Sequence, residues 1–408
     1  MLSMSERLDS WKNLLSGLGT SRDKSTHLHL ANGSALPAEY LEQLYLNDDI
    51  AARICDLVPS EMLRQGLNIR VNDEPFKWDN LGETLRDSLT KARIFGAAFI
   101  YMGVDDGQAQ ETPLLIQKVR GVRFLNVLTS KELSHASFYG DPNTSQYGHV
   151  ETYRLNTSSA IIHESRLISF FAIPPLNHRQ YPPSILQRVY PVLQQFHTAW
   201  QSTAHLMTDA AQGVFKLKNL HVSMGTNRSD ELLKRMELVD MSRSISRSIL
   251  LDADEDFRRD SYSFSGIPEI LEKMMLRLAA AARIPVSLLM GQAPAGMNAT
   301  GESDTRFFYD QVRAEQEALK PKLEHLTKIL SGDPQAQINI EFPALWQMTD
   351  KEKADLRRME AETDRIYLQE GVLLPEEVAI KRFSSGDFTV DITERAELAQ
   401  IERSPNEY

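Results

Sequence analysis

The sequence predicts an α+β protein, and three observations carry that expectation. Between residues 67 and 181, short β-type runs (68–71, 99–102, 123–128, 147–155 and 161–171) are separated by turn signals such as Asp105-Asp106-Gly107 and Asp141-Pro142-Asn143. Beyond Pro182-Pro183 the apolar residues switch to three-or-four spacing over two long stretches, 185–211 and 302–330. Between those stretches lies GQAPAGMNATG at 291–301, whose three glycines and one proline read as a loop.

Taken in order, residues 1–35 are polar with scattered leucines and cannot bury enough surface to offset chain entropy unless a partner helps, so they read as a flexible N-terminal arm. Pro37-Ala38-Glu39 opens a helix carrying Tyr40, Leu44, Ile50, Ile54, Leu57 and Val58, and Pro59 is expected to break it into a pair. One helix, 81–95, interrupts the β block. In 185–211, Ile185, Val189, Val192, Phe196, Ala199 or Trp200, Leu206 or Met207 and Ala210 recur along a helix on the order of 40 Å long, with Pro191 as a bend. Trp200 reads as a packing residue. Strand-like pieces at 214–217 and 248–252 flank a charged helix at 229–241. Pro268 opens a helix with Leu271, Met274, Met275, Leu278 and Ala282 on one face, ending before Pro285. After the glycine-rich loop, Phe308, Val312, Leu319, Leu323, Leu326 and Leu330 fall in register along a helix that Pro321 should kink. Residues 337–342 alternate like a strand, and the chain from Thr349 on is charged and helical, interrupted by Gly371 and Pro375.

Composition narrows the function. A net charge of −11 repels polyanions at long range, which disfavours tight nucleic-acid binding. The single cysteine, Cys55, sits at helical spacing beside Ile54 and Val58 and reads as a buried hydrophobe in a reducing, cytosolic setting. The most apolar uncharged stretches, 94–104 and 167–176, are too short to span a membrane, and Glu6, Arg7 and Asp9 argue against a secretory signal. HExxH, P-loop and GxSxG patterns do not occur, and His27 and His29 lie in the polar arm, so no metal or cofactor is expected.

One enzymatic alternative remains. Two-histidine phosphoesterases use paired H-x-S/T elements, and His163-Glu164-Ser165 and His221-Val222-Ser223 both follow strand-like residues. The pattern is weakly specific: His135/Ser137 and His325/Thr327 repeat it, the last on a predicted helix. The arginine-serine run at 242–248, with Arg243 and Arg247, and the later Arg258 and Arg259 are candidates for partner docking. Asp252, Asp254, Glu255 and Asp256 follow closely and would cancel the field of the 242–248 run beyond about one Debye length.

Specific stretches of sequence then identify a resemblance. Leu44-Tyr45, Asn47-Asp48-Asp49-Ile50-Ala51-Ala52-Arg53-Ile54, Val58-Pro59, Met62, Arg64 and Gly66 come first. They are followed by Ala92-Arg93-Ile94-Phe95-Gly96-Ala97-Ala98-Phe99-Ile100 and His163-Glu164-Ser165-Arg166-Leu167-Ile168. Asn298-Ala299-Thr300-Gly301-Glu302-Ser303-Asp304, running on to Phe308-Tyr309-Asp310, Gln316 and Lys320-Pro321, completes the set. In this order, over residues 36–345, the chain resembles a tailed-bacteriophage portal protein of a portal-like family long labelled uncharacterised. Tyr181-Pro182-Pro183-Ser184 stands where many relatives carry a Trp-Gly pair.

The resemblance implies a portal fold and a dodecameric ring at one capsid vertex, through which double-stranded DNA enters and leaves with weak contact. It divides the chain into an arm (1–35), a wing (36–183), a stem helix (184–211), a clip (212–265) and a second stem helix (266–287). A tunnel loop (288–301), a kinked long helix with a wing strand (302–348) and a helical crown (349–408) follow. It places Met297, Asn298 and Thr300 at the DNA channel. The implied partners are the terminase large subunit, head-tail adaptor and neck proteins, and the major capsid and scaffold proteins. The implied locations are the virion and, during assembly, the host cytoplasm. No catalysis is implied.

Overall fold

Helix α1 (Ala38–Asn47) and helix α2 (Asp49–Leu63) are divided at Asp48, whose extended backbone (φ −116°) lets its carboxylate accept the Ala51 N–H at 2.9 Å. The break expected at Pro59 therefore comes eleven residues early. An N-cap at Asp48 starts a new helix, worth about 1 kcal/mol, while Pro59 is carried through inside α2 on the face that buries Ala51, Ile54, Cys55, Val58 and Met62. The computed structural model describes residues 35–208, 211–216, 256–261, 264–291, 302–346 and 350–383. They fall into two compact units, one reaching Pro343 and one beginning at Ala344.

Three small antiparallel sheets follow. Strands β1 (Asn68–Val71) and β2 (Glu74–Pro75) precede α3 (Leu81–Phe95), which matches its predicted span. Strand β3 (Ala97–Asp105) lies between β4 (Gly121–Thr129) and the later β8 (Leu167–Phe171), pairing Phe99 with Leu128 on one side and Ser169 on the other. Strands β5 (Leu133–Phe138), β6 (Val150–Leu155) and β7 (Ile161–His163) form another sheet. The single run expected at 161–171 is split by a 3-10 turn, Glu164–Arg166, and residues 147–149 lie in a turn before β6. Phe99 is fully buried between these sheets, its ring centroid 5.1 Å from Tyr153, 5.9 Å from Tyr181 and 6.2 Å from Phe171.

Gly96 ends α3 at φ +89°, and a Cβ there would lie 2.1 Å from the Pro182 carbonyl oxygen. The Tyr181-Pro182-Pro183-Ser184 turn is thus seated directly on the α3–β3 corner. Ser184 finishes the joint: its hydroxyl donates to the Arg93 carbonyl at 3.1 Å and accepts the Leu186 N–H at 2.9 Å.

Helix α4 (Ile185–Thr208) keeps Pro191 in its interior, and the expected extension to Ala211 is overturned because Ala211 belongs to β9 (Ala211–Lys216). β9 pairs with β10 (Asp256–Ser261), while the strand expected at 248–252 and the helix at 229–241 lie outside the described residues. Helix α5 (Ile267–Ala282) begins after Gly266 at φ +88° and is followed by a short helix α6 (Val286–Met290), where the sequence reading already has loop from 288. Helix α7 (Glu302–Ser331) contains Pro321 and buries Phe308, Val312, Leu319, Leu323 and Leu326. Two side chains pin α7: Gln316 Nε2 donates to the Met62 carbonyl at 2.6 Å, and Lys322 Nζ donates to the Ser169 carbonyl at 2.7 Å. Strand β11 (Ile338–Glu341) joins β1, with Ile69 opposite Ile340. In the second unit, α8 (Asp350–Gln369) and α9 (Pro375–Phe383) are clasped by Arg382, which reaches Asp364 at 2.8 Å and Glu360 at 3.0 Å.

Candidate functional site

The helix pair α4–α5 is packed at one end and open at the other. Leu186, Val189, Leu193 and Phe196 of α4 and Leu278, Ala279 and Ala282 of α5 are buried. Further along α4 the apolar side chains lose their cover: Trp200 is 55 % exposed and Met207 64 %, although Trp200 still stacks on Phe196 at 5.8 Å. The packing role expected for Trp200 is therefore half met within one chain. At the same end Ile270 of α5 is 58 % exposed. Between the helices runs a groove of about 420 Å³, with Val192, Phe196, Ile270 and Met274 as its apolar lining and Glu269, Lys273 and Arg277 beside them.

The predicted channel residues Met297, Asn298 and Thr300 lie outside the described residues. Their flanks do not: Gly291 closes α6 at φ +74°, and α7 begins at Glu302, presenting Phe307 at 76 % exposure. Of the predicted docking arginines, Arg243 and Arg247 lie outside the described residues. Arg258 and Arg259 fall in β10, opposite Val214 and Gly213.

The two-histidine constellation can be described only at His163, because His221 is outside the described residues. The His163 imidazole is buried, and its Nδ1 accepts the Ser165 N–H at 3.2 Å while lying 2.9 Å from the Ser165 hydroxyl. The Ser165 oxygen in turn accepts the Leu114 N–H at 2.8 Å. Burial holds the imidazole below its ordinary pKa, and Glu151 only partly opposes it, with Arg166 adding to the depression. Imidazole and hydroxyl thus engage each other, and the hydroxyl also ties down the loop at Leu114.

The same turn carries features that sequence reasoning missed. Arg166 and Asp106 form a buried pair, with NH2 to Oδ2 at 2.8 Å, and Arg166 Nε also donates to the Thr112 carbonyl at 3.0 Å. Burial alone would raise the Asp106 pKa, but Arg166 and the N–H groups of Gln108 and Leu115 outweigh it and hold it low. Arg93 plays a similar part between α2 and α3, giving both Nε and NH2 to the Ile54 carbonyl. Asp48, Arg93, Gly96, His163 and Arg166 all belong to the sequence stretches that carry the portal resemblance, and each fixes a corner of the fold.

Among the described residues there is no group of three or more His, Cys, Asp or Glu able to hold a metal ion, and no helix is long and apolar enough to cross a membrane. Cys55 is fully buried, and burial pushes its thiol up to about 12.

Comparison with known proteins agrees with this architecture. Residues 39–366 match the family described as "Phage portal protein". A curated relative from Caulobacter sp. (strain RHG1), named "Anti-CBASS protein Acb1", is 28 % identical over 90 % of this chain and 64 % of its own length. The chain thus spans just under two thirds of that relative. An uncharacterised protein of Haemophilus influenzae is 26 % identical over 93 % of this chain and 91 % of its own. Among solved structures, a chain of the "Neck of native GTA particle computed with C12 symmetry" superposes with a TM-score of 0.54 at 16 % identity, covering 84 % of this chain and 92 % of that one.

Proposed function

This chain belongs to the phage portal protein family, and on that premise we propose that copies of it close into a ring at one capsid vertex through which double-stranded DNA is packaged and ejected. The observation that carries the reading is apolar surface at the far end of α4 and the start of α7, where Trp200, Met207 and Phe307 are left exposed by one copy. Large exposed apolar side chains on long helices call for a neighbour, and a ring supplies one on each side. The C12 symmetry of the GTA neck structure supports twelve copies.

In this reading residues 36–183 with β11 are the wing, α4 and α5 the stem, 212–265 the clip, α7 the kinked helix above the tunnel loop, and 349–408 the crown. Met297, Asn298 and Thr300 face the DNA. The clip, with Arg243, Arg247, Arg258 and Arg259, meets the terminase large subunit and then head-tail adaptor or neck proteins. Capsid and scaffold proteins meet the ring as it is built in the host cytoplasm, and the finished ring resides in the virion. A net charge of −11 suits a channel in which DNA slides, since each neutralised phosphate would add a brake. The energy for translocation comes from the terminase, and the chain itself does no chemistry.

The test is the mass of the native particle. Twelve copies of 46.3 kDa give about 560 kDa, whereas monomers or dimers under assembly conditions would count decisively against a ring. Shortening residues 293–299 should impair DNA packaging or retention and leave the ring intact; unchanged packaging would move the loop off the DNA path.

The alternative, a phosphoesterase acting on a cyclic nucleotide through His163 and His221, draws interest from the relative's name. That name describes a chain about a third of which has no counterpart in the match. The inward engagement of His163 with Ser165 speaks against it. Hydrolysis of a cyclic nucleotide by the wild-type chain, lost in His163→Ala, would reinstate it.

A further inference from the structure

Helices α2, α3 and α7 and the end of β8 leave a cleft of about 100 Å³ between them, several times the space that one water molecule needs. Val58, Met62, Leu89, Phe170 and Leu319 give it apolar walls, and the ionisable residues in its lining are Arg93, Glu315 and Lys322. Arg93 gives Nε and NH2 to the Ile54 carbonyl, and among the described residues its NH1 has no hydrogen-bond partner. Lys322 donates to the Ser169 carbonyl at 2.7 Å and sits over two rings, 5.6 Å from the centroid of Phe170 and 5.8 Å from that of Phe171. Among the described residues neither cation forms an ion pair. Burial holds both below their ordinary pKa; Cys55, Glu315 and Asp56 only partly oppose this at Arg93, and at Lys322 nothing does. Asp56 is already engaged by the Tyr45 hydroxyl at 2.9 Å, and Glu315 is exposed.

We propose that this cleft binds a small monocarboxylate, its charged end between Arg93 NH1 and Lys322 Nζ and its short apolar stem against Met62, Leu89 and Phe170. A cation withdrawn from water without a counter-charge is costly, and a bound carboxylate supplies what the chain does not. Charge selects the class of ligand. Two cations and one carboxylate in the lining leave one net positive charge, which matches a singly charged group better than a phosphate dianion. Apolar walls around a few convergent polar groups favour a ligand with a hydrocarbon stem over a bare ion. The site lies within one copy, so the proposal does not rest on ring closure.

Titration of the full-length chain with sodium butyrate at constant ionic strength tests it, read by line broadening of the butyrate methyl signal and by the rise in unfolding temperature. Butanol, the same stem without the charge, should bind about tenfold more weakly. Lys322→Met should cost about tenfold in butyrate affinity. Because that variant also loses the hydrogen bond to Ser169, the exposed Glu315 provides a second, milder change: Glu315→Gln removes the competing carboxylate and should tighten butyrate about threefold. Absent butyrate binding, equal binding of butanol, or an unchanged affinity in Glu315→Gln would overturn the proposal. Tighter binding of inorganic phosphate than of butyrate would overturn the assignment to a carboxylate. None of these outcomes alters the particle mass, so the portal reading stands or falls separately.

Discussion

Phe99 in β3 and Trp200 in α4 are both large aromatic residues, and the fold treats them oppositely. Phe99 has no exposed surface and is ringed by Tyr153, Phe171 and Tyr181, so the wing sheets complete their core within one chain. Trp200 stacks on Phe196 and leaves more than half of its surface open, with Met207 beyond it similarly bare. Residues 36–183 use their apolar residues for folding; in the proposed ring, the far end of α4 would keep its own for association. Substitutions should therefore split cleanly, those in the wing acting on the stability of the single copy and those at the stem acting on assembly.

The strongest way to probe the wing side is Arg166→Ala. It leaves the Asp106 carboxylate buried without its counter-charge and strips the Thr112 carbonyl of its donor, a loss expected at about 3–5 kcal/mol. Thermal or denaturant unfolding of the isolated chain checks it, and a shift no larger than that of a surface control would mean the wing core does not depend on this joint. Next in size is Gly96→Ala. The left-handed φ and the Pro182 carbonyl 2.1 Å from the new Cβ should together cost about 2–4 kcal/mol. Near-wild-type unfolding would show that the Pro182 turn can move away from the α3–β3 corner.

These two positions also explain what can and cannot be read from sequence. Helices α3, α5 and α7 and strands β1, β3, β4 and β11 are legible because apolar period and turn residues agree locally. Strand β5, Leu-Ser-His-Ala-Ser-Phe, is not: its two serines and histidine give no apolar run, and it is held as a strand by pairing with β6. The α1–α2 break is misplaced by sequence because proline is a louder signal than an aspartate whose capping role depends on the backbone around it. The Arg166–Asp106 pair spans sixty residues, so only folding brings it together. At the proposed site the long helices announce themselves through period, but their incomplete cover is a property of tertiary packing that periodicity does not contain.

Acidification offers a milder probe of the wing. Burial holds His163 and His135 below their ordinary pKa, so the unfolded chain takes up protons before the folded one does. Stability is then fully present above about pH 6.5 and declines as pH falls toward the folded values. The unfolding midpoint should drop between about pH 7.5 and 5.5, and His163→Gln should flatten that slope. An unchanged slope in the variant would assign the pH response to other groups.

The smallest effect on the single copy, and the most discriminating, is expected at the stem. Met207→Ser removes one largely exposed side chain, so unfolding of the monomer should change by no more than about 0.5 kcal/mol. Assembly should respond far more, because in a closed ring every interface carries the same lesion and a modest loss per contact is multiplied around the circle. Sedimentation or mass measurement should find the variant as folded, dissociated chains at concentrations where the wild type is fully assembled. Rings of undiminished stability would instead mean that α4 presents this end to the lumen or to another partner, and that the contacts between copies are made elsewhere.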